Sequence, residues 1–160
     1  MKRWRPVVGV VLGLLIGAMA VTPAVAEGAT DGVDADPQIV GMLAEVPGGI
    51  LLDANHAFWP ALDMEMTVPA AAGRSARASV GACADGRVCV FSGQSLSGSF
   101  LSWGSCGDHV IPSTFSALSL AHARSSGYSQ ARNGGAVLAT AYAGGWANIF
   151  GGATYVRCVF

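Results

Sequence analysis

The sequence predicts an all-β fold, specifically a two-sheet sandwich, for the second half of the chain. Short runs of β-branched and aromatic residues alternate with turn residues from Ser79 onward. These runs recur at a spacing of roughly ten residues, which is typical of all-β sandwiches. The chain contains 22 glycines among 160 residues, enough to supply many turns. Helical periodicity is absent from the same stretch.

The N-terminal residues 1–26 are predicted to be a signal peptide. Three basic residues precede an apolar stretch, residues 7–21, and an Ala-x-Ala site ends at Ala26. The apolar stretch is shorter than the roughly 20 residues that a transmembrane helix needs. We therefore expect cleavage after Ala26, a secreted extracellular protein, and no membrane association once the signal has been removed.

The next elements are predicted to be a short helix and a β-hairpin, which with a linker occupy residues 37–78. Residues 37–46 carry apolar side chains at helical spacing, and Pro47-Gly48-Gly49 is expected to end the helix. The apolar runs 50–52 and 64–68 flank turn-prone residues, so they predict the two strands of the hairpin. A linker rich in alanine follows.

A disulfide-bonded β domain is predicted for residues 79–160. Its candidate strands are residues 88–91, 99–103, 118–123, 128–131, 136–140, 146–150 and 154–159. Asn133-Gly134 lies between two of these strands and is the strongest hairpin signal in the chain.

The four cysteines are Cys83, Cys89, Cys106 and Cys158. An even number of cysteines in an exported chain indicates disulfides rather than a metal site. Four cysteines allow three connectivities, and the sequence pattern alone does not select one of them.

The segment from Cys83 to Phe100, CADGRVCVFSGQSLSGSF, carries a family resemblance. It resembles the opening of the streptomycete-type metalloproteinase inhibitors, small secreted bacterial proteins with a βγ-crystallin-like fold. They share the run Cys-(five residues)-Cys-x-aromatic-Ser-Gly-x-x-Leu-Ser-Gly. Phe91 and Gly98 have the spacing at which the βγ-crystallin Greek key places its corner aromatic residue and its fold-over glycine. The close resemblance covers about a tenth of the chain.

This resemblance implies the fold, one disulfide and the function. The implied fold is a βγ-crystallin-like double Greek-key sandwich preceded by the short helix and the hairpin. The implied local disulfide Cys83–Cys89 leaves Cys106 to pair with Cys158. The implied function is a secreted proteinaceous peptidase inhibitor that acts on metallopeptidases by stoichiometric binding. The family's inhibitory loop has no residue-by-residue counterpart here, so the inhibitory residues stay unassigned.

A weak internal repeat is consistent with two Greek keys. It aligns Phe91 and Gly98 of the first copy with Leu138 and Gly145 of the second. Leu138 occupies the position where the family pattern has an aromatic residue.

Charge is distributed unevenly along the chain. The acidic residues between the signal peptide and Arg74 number eight, against no basic residue. Residues 27–36 are predicted to be a disordered acidic leader. One interpretation of the charge is a solvated leader, and the other is an acidic segment that masks the basic domain. The six later arginines are too few and too dispersed for a nucleic-acid surface.

The residue inventory predicts neither an enzyme nor a cofactor or metal site. No Gly-x-Ser-x-Gly elbow and no HExxH motif is present. His56, His109 and His122 are interpreted as surface or strand-end residues. The region of residues 113–119 has hydroxyl groups but no carboxylate, so calcium binding is not expected.

The alternative function is a non-inhibitory extracellular βγ-crystallin-like module with a binding or structural role. The oligomeric state stays open.

Overall fold

A computed structural model describes residues 34–70 and 78–160, and these residues form two larger antiparallel β-sheets, a separate pair of short strands and one α-helix. The predicted all-β class is therefore confirmed. The predicted signal peptide and most of the predicted acidic leader lie outside the described residues.

The helix α1 (Pro37–Glu45) is found where the sequence predicted it. The Asp36 side chain caps its start by accepting a hydrogen bond from the backbone N–H of Gln38 at 2.8 Å. Proline in the first turn fits this position, because its missing N–H would have no partner within the helix. The helix ends just before Pro47, as expected.

Thirteen strands follow α1 in the described residues. In chain order they are β1 (Ile50–Asp53), β2 (His56–Trp59), β3 (Met64–Thr67), β4 (Ala78–Val80), β5 (Cys83–Ala84), β6 (Arg87–Phe91), β7 (Phe100–Trp103), β8 (Asp108–Val110), β9 (Ser119–Ala123), β10 (Tyr128–Asn133), β11 (Ala136–Tyr142), β12 (Gly145–Asn148) and β13 (Tyr155–Val159). The large sheet has the strand order β1-β2-β3-β7-β6-β9-β12, and the small sheet has the order β11-β10-β13-β8. The strands β4 and β5 pair only with each other.

The seven strands predicted for residues 79–160 all exist, with ends shifted by up to two residues. Three further strands, β4, β5 and β8, were not predicted. Each has only two or three residues, which is too few to show an alternating pattern.

The predicted hairpin is instead a three-stranded meander. The two predicted strands correspond to β1 and β3, which do not pair, because β2 lies between them and pairs with both. The sequence predicts no strand at β2, because the turn-prone residues Asp53-Ala54-Asn55 and Trp59-Pro60 lie between the two predicted strands. The burial of the β2 residues alternates, with Ala57 and Trp59 fully inside, as expected for a strand with one buried face.

The strands from β6 to β13 form two successive sets of four. In each set, the first, second and fourth strands share one sheet, and the third strand joins the opposite sheet. Thus β8 pairs with β13 in the small sheet, and β12 pairs with β9 in the large sheet. This exchange interlocks the two sets, since each sheet is completed by a strand from the other set.

The N-terminal elements are an integral part of this fold. Ile39 and Met42 of α1 are 0% and 2% exposed and belong to the main core, together with Trp59 and Met64. The strand β3 also pairs along its length with β7. This acidic region therefore contributes core side chains and three strands to the described fold.

The predicted internal repeat does not match the topology. Phe91 ends the first strand of its set, whereas Leu138 lies within β11, the second strand of the other set. Gly98 lies between β6 and β7, whereas Gly145 begins β12, a third strand. Phe91 is therefore not structurally equivalent to Leu138, nor Gly98 to Gly145. The structural repeat instead relates β6 to β10, the first strands of the two sets.

Gly98 occupies a position that requires glycine. Its φ of +79° lies in the left-handed region, and a Cβ atom would contact Ser92 Oγ and lie 3.3 Å from the Gly93 nitrogen. Ser92 Oγ accepts a hydrogen bond from Ser99 at 2.9 Å, so the added atom would disturb this bond as well.

Gly98→Ala is expected to destabilise the domain more than Gly86→Ala. Gly86 has a φ of +78°, but no atom lies within 4 Å of an added Cβ, so it isolates the conformational cost. That cost is about 1–3 kcal/mol in each variant, and the clash at Gly98 adds about 1–3 kcal/mol. Chemical denaturation measures both. Equal losses of stability in the two variants would show that the Ser92 side chain moves away from the added Cβ atom without a cost in free energy.

Candidate binding site

The strand β8 is an outer strand of the small sheet, and one edge of it is unpaired in the described residues. The Cys158 N–H donates to the Gly107 carbonyl at 2.8 Å, and the Ile111 N–H donates to the Thr154 carbonyl at 2.9 Å. In an antiparallel pair, hydrogen-bonded and non-hydrogen-bonded positions alternate. The N–H and C=O groups of Asp108 and Val110 therefore point away from β13, toward the free edge.

A disulfide and an ion pair anchor β8 to β13. The Cys106–Cys158 disulfide joins the residue two positions before β8 to β13. Arg157 donates two hydrogen bonds to the Asp108 carboxylate, at 2.7 Å and 2.6 Å. These bonds lower the pKa of Asp108 and raise the pKa of Arg157, so both groups stay charged at neutral pH.

The middle residue of β8, His109, is also fixed. Its ring stacks on Trp103 with a centroid distance of 5.1 Å, and its Nε2–H donates to the Ser105 carbonyl at 3.0 Å. By contrast, the side chain of Val110 is 74% exposed. The segment Ser105–Val110 thus combines a held backbone with an exposed apolar side chain.

A cleft of about 160 Å³ runs beside β8. It is lined by Leu62, Met64, Trp103, Asp108, His109 and Val110. Leu62 is 47% exposed and Met64 is buried, so most of the lining is apolar. An extended peptide next to β8 could form hydrogen bonds with the β8 backbone and apolar contacts with the cleft at the same time.

The outer face of the small sheet is a second exposed surface. Residues paired across strands place their side chains on the same face, and one such row is Tyr142, Tyr128 and Val159. Further residues of this face are Val137, Arg132, Tyr155, Val110, Thr140, Gln130, Arg157 and Asp108. Tyrosine and arginine are enriched at protein interfaces, and lysine is depleted.

The outer face of the large sheet carries a polar cluster beside the Cys83–Cys89 loop. Arg87 Nη1 lies 3.2 Å from Glu65 Oε1, and Arg87 Nε donates to Ser102 Oγ at 3.1 Å. His56 Nε2 lies 3.6 Å from Glu65 Oε2. These residues line a pocket of about 280 Å³. The cluster links β2, β3, β6 and β7.

The predicted disulfides are both confirmed. Cys83–Cys89 closes its loop over the outer face of the large sheet, where both cysteines are buried next to Phe91. Cys106–Cys158 links the residues just before β8 to β13. Two disulfides are typical of proteins from oxidising compartments.

The three histidines lie in different environments. His56 begins β2, and His109 lies in the middle of β8. His122 of β9 is fully buried, so it is not a surface residue. Its Nδ1 accepts from Ser129 Oγ at 2.7 Å and its Nε2–H donates to the Ser126 carbonyl at 2.8 Å, a pattern that supports the loop between β9 and β10.

Within residues 34–70 and 78–160, no group of three His, Cys, Asp or Glu side chains is placed to hold a metal ion. The same residues include no helix that is long and apolar enough to span a membrane. No protein-family model, curated protein or solved structure matches this chain. The candidate site is therefore defined by the geometry of the chain itself.

Sequence reasoning did not find the β8 edge. The segment Asp108-His109-Val110 has no strand-like alternation, and its importance comes from its position next to β13. Cys106 was the one available signal, because a cysteine at that position indicates that the neighbouring backbone is tied to another part of the chain.

Proposed function

We propose that this protein is a secreted βγ-crystallin-like domain that inhibits peptidases by stoichiometric binding, with the β8 edge as its inhibitory segment. The exchange of β8 and β12 between the two sheets supports a double Greek key, because it joins the two four-strand sets into one sandwich. Metallopeptidases are the proposed target class, because residues 83–98 resemble the opening of the streptomycete-type metalloproteinase inhibitors. The two disulfides support export.

The observation that carries this proposal is the anchored, unpaired edge of β8. A peptide partner adds to an exposed edge through main-chain hydrogen bonds, while side-chain pockets provide specificity. Asp108 and Val110 offer their backbone groups outward, and Val110 offers an exposed side chain. The extended backbone of β8 suits a peptidase cleft that binds its substrate as a strand.

Anchoring explains how such a segment would inhibit rather than act as a substrate. A loop that is already held in its bound conformation loses little entropy on binding. The Cys106–Cys158 disulfide and the Asp108–Arg157 pair hold β8 against β13, so a cut in this segment would not release its ends.

A titration tests the function directly. The oxidised chain, residues 27–160, is added to a thermolysin-like metallopeptidase and to a subtilisin-like serine peptidase. A linear loss of metallopeptidase activity to an equivalence point, with the added protein left uncut, is the expected result. Full activity of both enzymes in the presence of excess intact protein would contradict the proposal for these two classes and favour the second function below.

Val110→Pro is expected to weaken inhibition at least tenfold without unfolding the domain. Proline removes the N–H of Val110, which points to the free edge, and leaves the ladder with β13 intact. Val110→Thr keeps both the N–H and the branched shape, so it is the matched control. The measurement is the inhibition constant, with circular dichroism as a check on folding. Unchanged inhibition by a folded Val110→Pro variant would exclude the β8 edge as the inhibitory segment.

A second candidate function is a non-inhibitory extracellular binding module. The outer face of the small sheet favours it, because this face exposes Tyr142 and Val110 by 69% and 74% and also carries Arg132 and Tyr155. Aromatic and arginine side chains dominate the binding energy of many interfaces. Tyr142→Ala separates the two functions, since Tyr142 lies at the opposite edge of the small sheet from β8. Loss of partner binding with inhibition unchanged would assign binding to this face.

A further inference from the structure

The loop after β8 surrounds a carboxylate with hydrogen-bond donors. The backbone N–H and the hydroxyl of Ser113 donate to Glu45 Oε1 at 2.6 Å and 2.7 Å. The backbone N–H of Thr114 donates to Glu45 Oε2 at 3.1 Å, and the Thr114 hydroxyl donates to the same oxygen. Two adjacent residues thus supply four donors to both oxygens of one carboxylate.

These donors stabilise the ionised form of Glu45. Hydrogen bonds from the Thr114 and Ser113 side chains lower its pKa from 4.5 to about 2. No basic side chain contributes to this shift. The site recognises a carboxylate through backbone and hydroxyl dipoles, in the manner of other anion-binding backbone turns.

A cleft of about 360 Å³ adjoins these donors. Ser113 forms part of its lining, together with Ile111, Phe115, Ala117, Ala153 and Thr154. It lies between the connection from β8 to β9 and the connection from β12 to β13. The lining combines apolar side chains with three hydroxyl residues, Ser113, Ser116 and Thr154. Apolar contacts beside a few polar groups that fix orientation are the composition of a small-ligand site.

We propose that the Ser113–Thr114 turn and its cleft form a binding site for a peptide carboxylate, and that Glu45 is its intramolecular occupant. Glu45 is the last residue of α1, and its side chain can swing out by rotation about its own bonds. Ile39 and Met42 keep the helix in the core while it does so. The ligand is a peptide that presents a carboxylate to the donors and an apolar side chain to the cleft.

Glu45 sets the affinity of this site. An occupant held on the same folded chain forms its contact intramolecularly, so a weak external carboxylate competes poorly in the wild-type protein. Removal of the Glu45 side chain leaves the four donors free. This site is separate from the β8 edge, and its test does not depend on peptidase inhibition.

The test is a titration of the full chain carrying Glu45→Ala, followed through the backbone amide resonances of Ser113 and Thr114. Sodium acetate is expected to shift both resonances saturably, with a dissociation constant in the millimolar range, and sodium chloride at equal ionic strength is not. The wild-type protein should show at least a tenfold weaker response. Glu45→Ala combined with Thr114→Val should lose most of the acetate response, because valine keeps the shape of threonine but lacks the hydroxyl.

Two peptides distinguish the sources of the carboxylate. The first is a tripeptide with two alanines, a C-terminal phenylalanine and a free carboxylate, and the second ends in an amide and carries an internal glutamate. Tighter binding of the first peptide than of acetate would assign the site to chain termini, and tighter binding of the second would assign it to acidic side chains. Absence of any shift at Ser113 and Thr114 in folded Glu45→Ala, with acetate and with both peptides, would overturn the proposal.

Discussion

Removal of residues 27–78 is expected to leave a chain that does not fold. The deletion takes away Ile39, Met42, Trp59, Met64 and Met66, all at most 2% exposed. Truncation of a single buried Ile or Met side chain costs about 2–5 kcal/mol, whereas a whole domain is stable by about 5–15 kcal/mol. The deletion also removes β3, one of the two partner strands of β7. Circular dichroism and chemical denaturation of the fragment 79–160 measure this outcome.

The matched control removes only residues 27–33, ahead of the cap of α1. That variant keeps the Asp36 cap of α1 and the backbone hydrogen bond from Asp36 to Ala54, so it is expected to unfold at the same denaturant concentration as the full chain. A cooperative unfolding transition for fragment 79–160 would contradict the integral role of α1 and β1–β3. It would favour the interpretation of this region as a removable segment that masks the later domain.

Loss of the Cys106–Cys158 disulfide is expected to reduce both stability and inhibition. In the chain-entropy description, a bridge that spans 52 residues contributes roughly 4 kcal/mol, and one that spans six contributes roughly 2.4 kcal/mol. The double variant Cys106→Ser/Cys158→Ser also loses the covalent anchor of β8, so its inhibition should fall even where it stays folded. The measurements are chemical denaturation and the inhibition constant at a temperature at which the variant is folded.

The variant Cys83→Ser/Cys89→Ser is the control for this experiment. Its loop lies on the outer face of the large sheet, in the cluster of Phe91 and Ala121, away from β8. It should lose stability but keep its inhibition constant. The opposite result, loss of inhibition only in the Cys83/Cys89 variant, would indicate that the Cys83–Cys89 loop is the inhibitory segment.

Local patterns predicted the elements whose determinants are local. The helix α1 shows a capping aspartate, a first-turn proline and a terminating Pro-Gly-Gly. The strands β6, β7, β9 and β13 each have four or five residues of suitable composition. By contrast, the pairing of β3 with β7 joins segments separated by the predicted linker, and no residue pattern encodes such a distant register.

The candidate sites depended even more on tertiary structure. Glu45 and Thr114 are 69 positions apart, and neither residue is unusual in its local sequence. The sequence did show that residues 113–119 offer hydroxyl groups without a carboxylate of their own. The carboxylate that these hydroxyl groups bind is that of Glu45 in α1, so the sequence around residues 113–119 shows the donors of this contact but not its acceptor.

The exchange of β8 and β12 has a consequence for the order of events as the chain is made. The large sheet gains its strand next to β9 only when residues 145–148 are available, and Cys106 finds its partner only when Cys158 is available. A nascent chain therefore has no complete sheet to fold against, and contacts this distant in sequence form slowly. The two sheets can close only after synthesis has reached the last strand, and oxidation of Cys106 and Cys158 then covalently links the two sets of strands.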